Sequence, residues 1–151
     1  ADTKEGTLGF RVPGAMKADA GYGGVLSTTD GATGAEAWAK TTPWALYAGP
    51  SRLDGSGDPA GDAAVTLMNH PESAGGPCRW HIRTYGLFAA NPFGETEFTS
   101  DPRDRPRRLA RGESLTLRYR IALLANPPAD GVVDSLYREF AAEPIEGESP
   151  R

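Results

Sequence analysis

The sequence predicts a mainly β protein, an antiparallel β-sandwich with one helix at its C-terminal end. Three observations carry this. The 151 residues include 19 glycines and 13 prolines without a collagen period, which means many turns between short extended segments. Ser114 to Ala125 alternates Leu115, Leu117, Tyr119, Ile121 and Leu123 with Thr116, Arg118, Arg120, Ala122 and Leu124. That is the period of an antiparallel strand with one core face. Helical spacing is clear only after Asn126-Pro127-Pro128, at Val133, Leu136, Tyr137 and Phe140. A sheet with one apolar face needs a second layer, hence a sandwich.

The elements follow in order. Leu8, Phe10 and Val12 alternate with Thr7, Gly9 and Arg11, a short strand closed by Pro13-Gly14. Residues 14–35 read as loop or hairpin, with one short strand at Val25-Leu26. Glu36 to Ala48 is strand-like but broken at Pro43. Ser51 to Asp62 reads as a turn-rich loop, with Asp54-Gly55 and Asp58-Pro59 as its turns. Ala63 to Asn69 is the next strand, ending at His70-Pro71. The Gly75-Gly76-Pro77 loop then returns the chain to a strand from Trp80 to Tyr85. After Asn91-Pro92-Phe93-Gly94 comes the long strand 114–125, and Asp130 is placed to cap the helix. Residues 1–142 form a single sandwich domain or the C-terminal half of a larger one, and 143–151 a polar tail.

Composition narrows the function. A net charge of −4 argues against nucleic acid as partner, since phosphate binding is driven by clustered Lys and Arg. The one basic cluster, Arg103-Asp104-Arg105-Pro106-Arg107-Arg108, is interrupted by an aspartate and a proline and reads as a solvated loop. No apolar run reaches the ~20 residues that span a bilayer, so no membrane is expected. The lone Cys78 has no intrachain partner for a disulfide and fits a cytoplasmic compartment. Because the sequence starts at Ala1 rather than Met, a removed upstream segment would reopen secretion.

The polar residues concentrate around Trp80-His81-Ile82-Arg83-Thr84-Tyr85. On an extended segment His81, Arg83 and Tyr85 share one face, and Trp80, Ile82 and Thr84 the other. Imidazole, guanidinium and phenol together suit a polyhydroxylated or anionic ligand. His70 stands at a strand end, where it is either a surface or turn residue or a cleft residue. Brought together, His70 and His81 would form an acid and base pair or two metal ligands. No carboxylate marks a metal site beside them, and no metal or cofactor is expected. Arg83 serves equally in a cross-strand salt bridge. Trp44 and Tyr47 are the aromatic stock for sugar stacking, with Trp44 expected exposed and Trp80 in the core.

Several segments together resemble a bacterial family usually labelled PmoA-like, a domain of unknown function. They are Asp2-Thr3-Lys4-Glu5-Gly6 with Leu8-Gly9-Phe10-Arg11-Val12, Gly34 to Trp44 with Tyr47 and Gly49, His70-Pro71, and Trp80 through Gly94. The resemblance covers the C-terminal half of that family's domain, whose whole is similar to the large supersandwiches of the mutarotase or lyase type. It departs after His70-Pro71, where Glu72-Ser73-Ala74-Gly75-Gly76 replaces an Asn-Pro-Arg-type loop. The family name borrows from a membrane methane-oxidising subunit, a chemistry that nothing in the residues supports.

The resemblance implies carbohydrate chemistry by analogy. It nominates Glu5, Arg11, His70, His81, Arg83 and Asn91 as site residues. The expectation is therefore an enzyme acting on a sugar or oxidised sugar, an epimerase, mutarotase or lyase. His70 and His81 would move protons, Arg83 would stabilise an oxyanion and Glu5 would assist. Arg11, Trp44, Tyr47, Tyr85 and Asn91 would bind the substrate. The alternatives are a non-catalytic carbohydrate-binding module and a structural subunit. The latter would be a homo-oligomer, or would pair with a partner supplying the N-terminal half of the domain.

Overall fold

Seven strands and two α-helices carry the described part of the molecule, a computed structural model covering residues 5–73, 76–99 and 108–144. The strands are β1 (Leu8–Arg11), β2 (Val25–Thr28), β3 (Trp44–Leu53), β4 (Pro59–Asn69), β5 (Arg79–Ile82), β6 (Leu87–Asn91) and β7 (Tyr119–Leu124). The helices are α1 (Glu95–Phe98) and α2 (Val132–Ala141). Asp2 to Lys4, Ala74-Gly75, Arg103 to Arg107 and the tail from residue 145 lie outside the described residues.

Two antiparallel sheets form the predicted sandwich: a three-stranded sheet in the order β1-β6-β5 and a four-stranded sheet in the order β2-β3-β4-β7. Alternation puts Trp80 and Ile82 of β5, Phe88 and Ala90 of β6, and Leu8 and Phe10 of β1 on one side of the first sheet. They meet Leu26, Ala45, Tyr47, Val65 and Leu67 of the second. Trp80 is the largest fully buried side chain, and its Nε1 donates to the Thr42 carbonyl at 3.0 Å and hydroxyl at 2.9 Å. Burying such a ring is worth about 1.5–3 kcal/mol, and the paired N–H adds no desolvation penalty.

The β3–β4 hairpin is longer than its composition suggests. Pairing runs to Leu53 opposite Pro59, so most of the expected 51–62 loop is strand. Its tip is an Asx turn in which Asp54 Oδ1 accepts the N–H groups of Ser56 at 2.8 Å and Asp58 at 3.0 Å. Pro43 precedes β3 instead of breaking it. The stretch before it, which reads as strand, opens with a 3₁₀ turn at Gly34–Ala37.

Three further expectations change. β6 was not foreseen, yet it is the centre of the three-stranded sheet. α2 takes Gly131, at φ 79°, as its N-cap in place of Asp130, and no side chain caps it. The long strand 114–125 shortens to β7, because β4 ends at Asn69 opposite Tyr119. Beyond that pair the chain turns at His70, and Pro71 has no N–H to extend a ladder.

α2 covers the outer face of the four-stranded sheet, where Val133 and Phe140 pack with Met68, Trp44, Leu46 and Ala122. The inner face is less completely covered. Register sets Ile121 beside Leu67 and Leu123 beside Val65, so both point to the core side. They are nevertheless 44% and 80% exposed. Among the described residues, β1 and β7 each pair on one side only. Between them runs an apolar cleft of about 270 Å³ lined by Phe10, Val12, Met16, Val65 and Leu123 among others.

Candidate functional site

The two histidines lie eleven residues apart in sequence, but β4 belongs to one sheet and β5 to the other. His70 follows β4 beneath α2, fully buried, its ring edge-on to Phe140 at 5.0 Å. Its Nδ1 accepts the Glu72 N–H at 3.2 Å, so Nε2 carries the hydrogen and donates to the Glu143 carbonyl at 3.0 Å. Both ring nitrogens are thus spent on backbone. Arg118 and Arg120 complete this assembly: both pair with the Glu143 carboxylate and lie over the Phe140 ring at 5.4 and 4.7 Å. The guanidinium of Arg120 above all holds the Glu143 carboxyl below its usual range. His70 locks the end of α2 to the sheet.

His81 points the other way, from the outer face of the three-stranded sheet. Sheets pack about 10 Å apart, so the core and both sheets separate it from His70. The acid and base pair expected from sequence is not assembled. Trp44 is also on the α2 side, half-buried, with Nε1 donating to Asp134 Oδ1 at 2.9 Å. Tyr47 is core: its hydroxyl donates to the carbonyls of Arg83 at 3.0 Å and Thr84 at 2.7 Å, and accepts the Ala18 N–H at 3.2 Å. Burial pushes its phenol pKa up.

The remaining nominated residues gather. Arg11 of β1 is opposite Leu87 of β6, which accepts the Arg83 N–H at 2.9 Å. Arg11, Leu87 and Arg83 therefore form one row across the outer face. His81 and Ala89 with Gly9 make the next row, and Arg79 with Asn91 the third. Asn91 is buried, and its Oδ1 accepts the Phe93 N–H at 2.8 Å, which starts the Asn-Pro-Phe-Gly turn. Tyr85 stands on the β5–β6 turn, not on a strand, and supports the Arg11 guanidinium 5.3 Å from its ring centre. Glu5 is exposed in the turn that leads into β1, off the strand, so register does not set it beside Arg11.

Two residues that sequence reasoning passed over complete the site. Trp38 lies in a strap whose backbone bonds to β5, Ala39 N–H to the Trp80 carbonyl and Trp80 N–H to that of Lys40, both at 2.9 Å. Ala39 takes a left-handed φ of 65° to make this possible. The Trp38 ring carries the Arg83 guanidinium at 4.5 Å and meets Phe98 at 5.1 Å. Phe98 of α1 also lies over His81, 5.6 Å between ring centres. Gly94 allows this roof: a Cβ there would fall 2.2 Å from the Phe98 ring and 2.7 Å from Asn91 Nδ2. No periodicity marks Trp38 or Phe98, because one sits on an irregular strap and the other on a single helical turn. Arg79 ties the roof and the strap together, through Glu95 at 3.4 Å and the Ala39 carbonyl at 3.2 Å.

The outcome is a packed cluster of His81, Arg83, Trp38 and Phe98, in which His81 and Phe98 are buried. Within it Arg83 Nε and Trp38 Nε1 are buried N–H groups with no acceptor among the described residues. Among the described residues no group of three or more His, Cys, Asp or Glu side chains is arranged to hold a metal ion. Cys78 belongs to the core, and burial pushes its thiol up to about 12, which removes it as a nucleophile. Nor is any helix among the described residues long and apolar enough to cross a membrane.

No curated protein and no solved structure matches the chain. A family match does extend over residues 1–138, nearly the whole sequence and every element built above except the last turn of α2. The chain belongs to the family of unknown function DUF6807.

Proposed function

We propose that the outer face of the three-stranded sheet is a binding site for a carbohydrate or an oxidised sugar derivative. The observation that carries this is the pair of buried donors without acceptors among the described residues, Arg83 Nε and Trp38 Nε1. Each unmade hydrogen bond at a buried N–H costs about 1–3 kcal/mol, and a ligand rich in oxygen supplies what is missing. The Trp38 and Phe98 rings beside them suit the C–H faces of a sugar. The resemblance to the PmoA-like family adds carbohydrate context.

Of the two forms of this reading, binding is better supported than catalysis by paired histidines, since His70 is held under α2. An epimerase or lyase would have to rely on His81 alone for proton transfer. Proton NMR of the chain with free sugars, glycosides and 3-keto sugars tests both forms. Line broadening lost in Arg83→Ala and Trp38→Ala is the expected result. Product resonances lost in His81→Gln would establish an enzyme instead, and an unchanged spectrum with every sugar would overturn the proposal. The lone, buried Cys78 suits a cytoplasmic setting for it.

A second reading concerns assembly, and rests on Ile121 and Leu123. Apolar residues on the core side of an unpaired edge strand suit β-strands from a second copy or a partner chain, added alongside β7 and over the cleft. Light scattering at rising concentration should give a dimer for the native chain and a monomer for Leu123→Glu. A native monomer at every concentration would remove self-association and leave only the partner chain.

A further inference from the structure

We infer that this face selects an anionic ligand, a sugar bearing a carboxylate or phosphate, and that Arg11 and Arg83 hold the anion between them. The inference rests on the outer face of the three-stranded sheet being the ligand site. Arg11 pairs with Leu87, and Arg83, the residue after β5, joins the same row through its N–H to the Leu87 carbonyl. At strand spacing, the Cα atoms of the two arginines are about 9–10 Å apart, a gap within reach of two long side chains once Arg83 swings from Trp38 toward β6.

Among the described arginines, only Arg11 and Arg83 combine an aromatic brace with the lack of an ion pair. Neither Arg11 nor Arg83 makes an ion pair or a side-chain hydrogen bond with a described residue. By contrast Arg79, Arg118 and Arg120 are all paired with carboxylates. Each is braced on an aromatic ring, Arg11 on Tyr85 and Arg83 on Trp38, without the carboxylate that Arg118 and Arg120 hold beside Phe140. Stacking fixes the plane of a guanidinium while leaving its edge donors free, which lowers the ordering cost of gripping an oxyanion. Finally, the chain carries a net charge of −4, so two uncompensated cations on one face run against the overall balance. The Trp38 Nε1 donor beside Arg83 gives a third N–H for the same group of oxygens.

Leu87 between the two arginines is only half-buried and Gly9 in the next row has no side chain, so the floor is shallow and open to a ring-sized molecule. The anionic group would sit at the Arg83 end, with the Arg11 guanidinium closing from β1.

Calorimetry with D-glucuronate, D-glucose 6-phosphate, D-glucose and inorganic phosphate, on the native chain and on Arg11→Gln, Arg83→Gln and Arg83→Lys, tests this. One or both anionic sugars should bind about ten- to a hundredfold more tightly than glucose, as charge-assisted bonds imply. The preferred anion names the source. The advantage should shrink in both glutamine variants and recover only in part in Arg83→Lys, which restores charge but not the fork. Thermal melting of each variant verifies its fold, and Arg11→Gln, at an exposed position, keeps the test open if Arg83 variants unfold. Equal affinity for all three sugars would overturn the anion inference and leave the carbohydrate reading standing. Binding of inorganic phosphate with no preference for the sugar would overturn the carbohydrate reading and leave the anion pair. Absence of binding by any probe would overturn both.

Discussion

The Tyr47 hydroxyl, on β3 of the four-stranded sheet, donates to the Thr84 carbonyl at 2.7 Å, on the turn that joins two strands of the other sheet. It is a polar link across an otherwise apolar core, and it fixes the turn from which Arg83 leaves the sheet. Tyr47→Phe should therefore cost about 1–3 kcal/mol, since the half-buried Ala18 N–H and the turn carbonyls lose their partner. Urea denaturation measures it. A native midpoint in the variant would mean that water replaces the hydroxyl without loss.

His70 and His81 should respond oppositely to substitution. His70→Ala removes two hydrogen bonds and leaves a cavity against Phe140, for a loss of about 2–4 kcal/mol. Sugar affinity of the folded variant should stay native. His81→Gln should change affinity more than stability. Reversal of that pattern in paired melting and titration experiments would place the ligand under α2.

Trp38→Phe keeps a ring beneath Arg83 but deletes the Nε1 donor. Stability should hold or rise slightly, because an unpaired buried N–H has gone. Affinity for sugar should fall about three- to tenfold, the worth of one hydrogen bond. A variant with both properties native would show that Nε1 is not a ligand contact.

Cys78, buried and with its thiol pushed up to about 12, should resist a thiol reagent such as DTNB at pH 8 in the native protein. It should react at once in denaturant. Rapid labelling under native conditions would mean that the core opens locally.

The Glu143 carboxyl is held below its ordinary value of 4.5 by Arg120 and Arg118. A lowered folded value means that its contribution is full above pH 4.5 and disappears as the pH falls through the lowered one. Hydrogen exchange at the last turn of α2 should accelerate in that acid range. In Glu143→Gln it should already be fast at neutral pH.

Much of the fold was readable because alternation survives wherever one face of a strand is exposed. β1 and the C-terminal half of 114–125 announce themselves in this way, whereas β4, buried on both faces from Ala64 on, shows as an apolar run. β6 does not announce itself, since Phe88 and Ala90 face the core while Ala89 and Asn91 are also buried, so no polar period is left to see. Leu115 and Leu117 mislead for the opposite reason, carrying the pattern where no partner strand continues. The site was half legible. Parity alone places His81 with Arg83, and β1 pairing then brings Arg11. His70 could not be sorted from His81, because nothing in a sequence says that the chain changes sheet between them.

The position of β1 has a kinetic corollary. β1 pairs only with β6, some 80 residues away, whereas β3–β4 and β5–β6 are hairpins that close short loops. Joining distant segments carries a larger entropy cost, so β1 should dock late in folding and peel away first. Arg11 travels with it. Any ligand gripped by both Arg11 and Arg83 would act as a clasp on that strand, slowing its detachment and protecting its amides, so that occupancy of the site and integrity of the sheet would be one linked equilibrium.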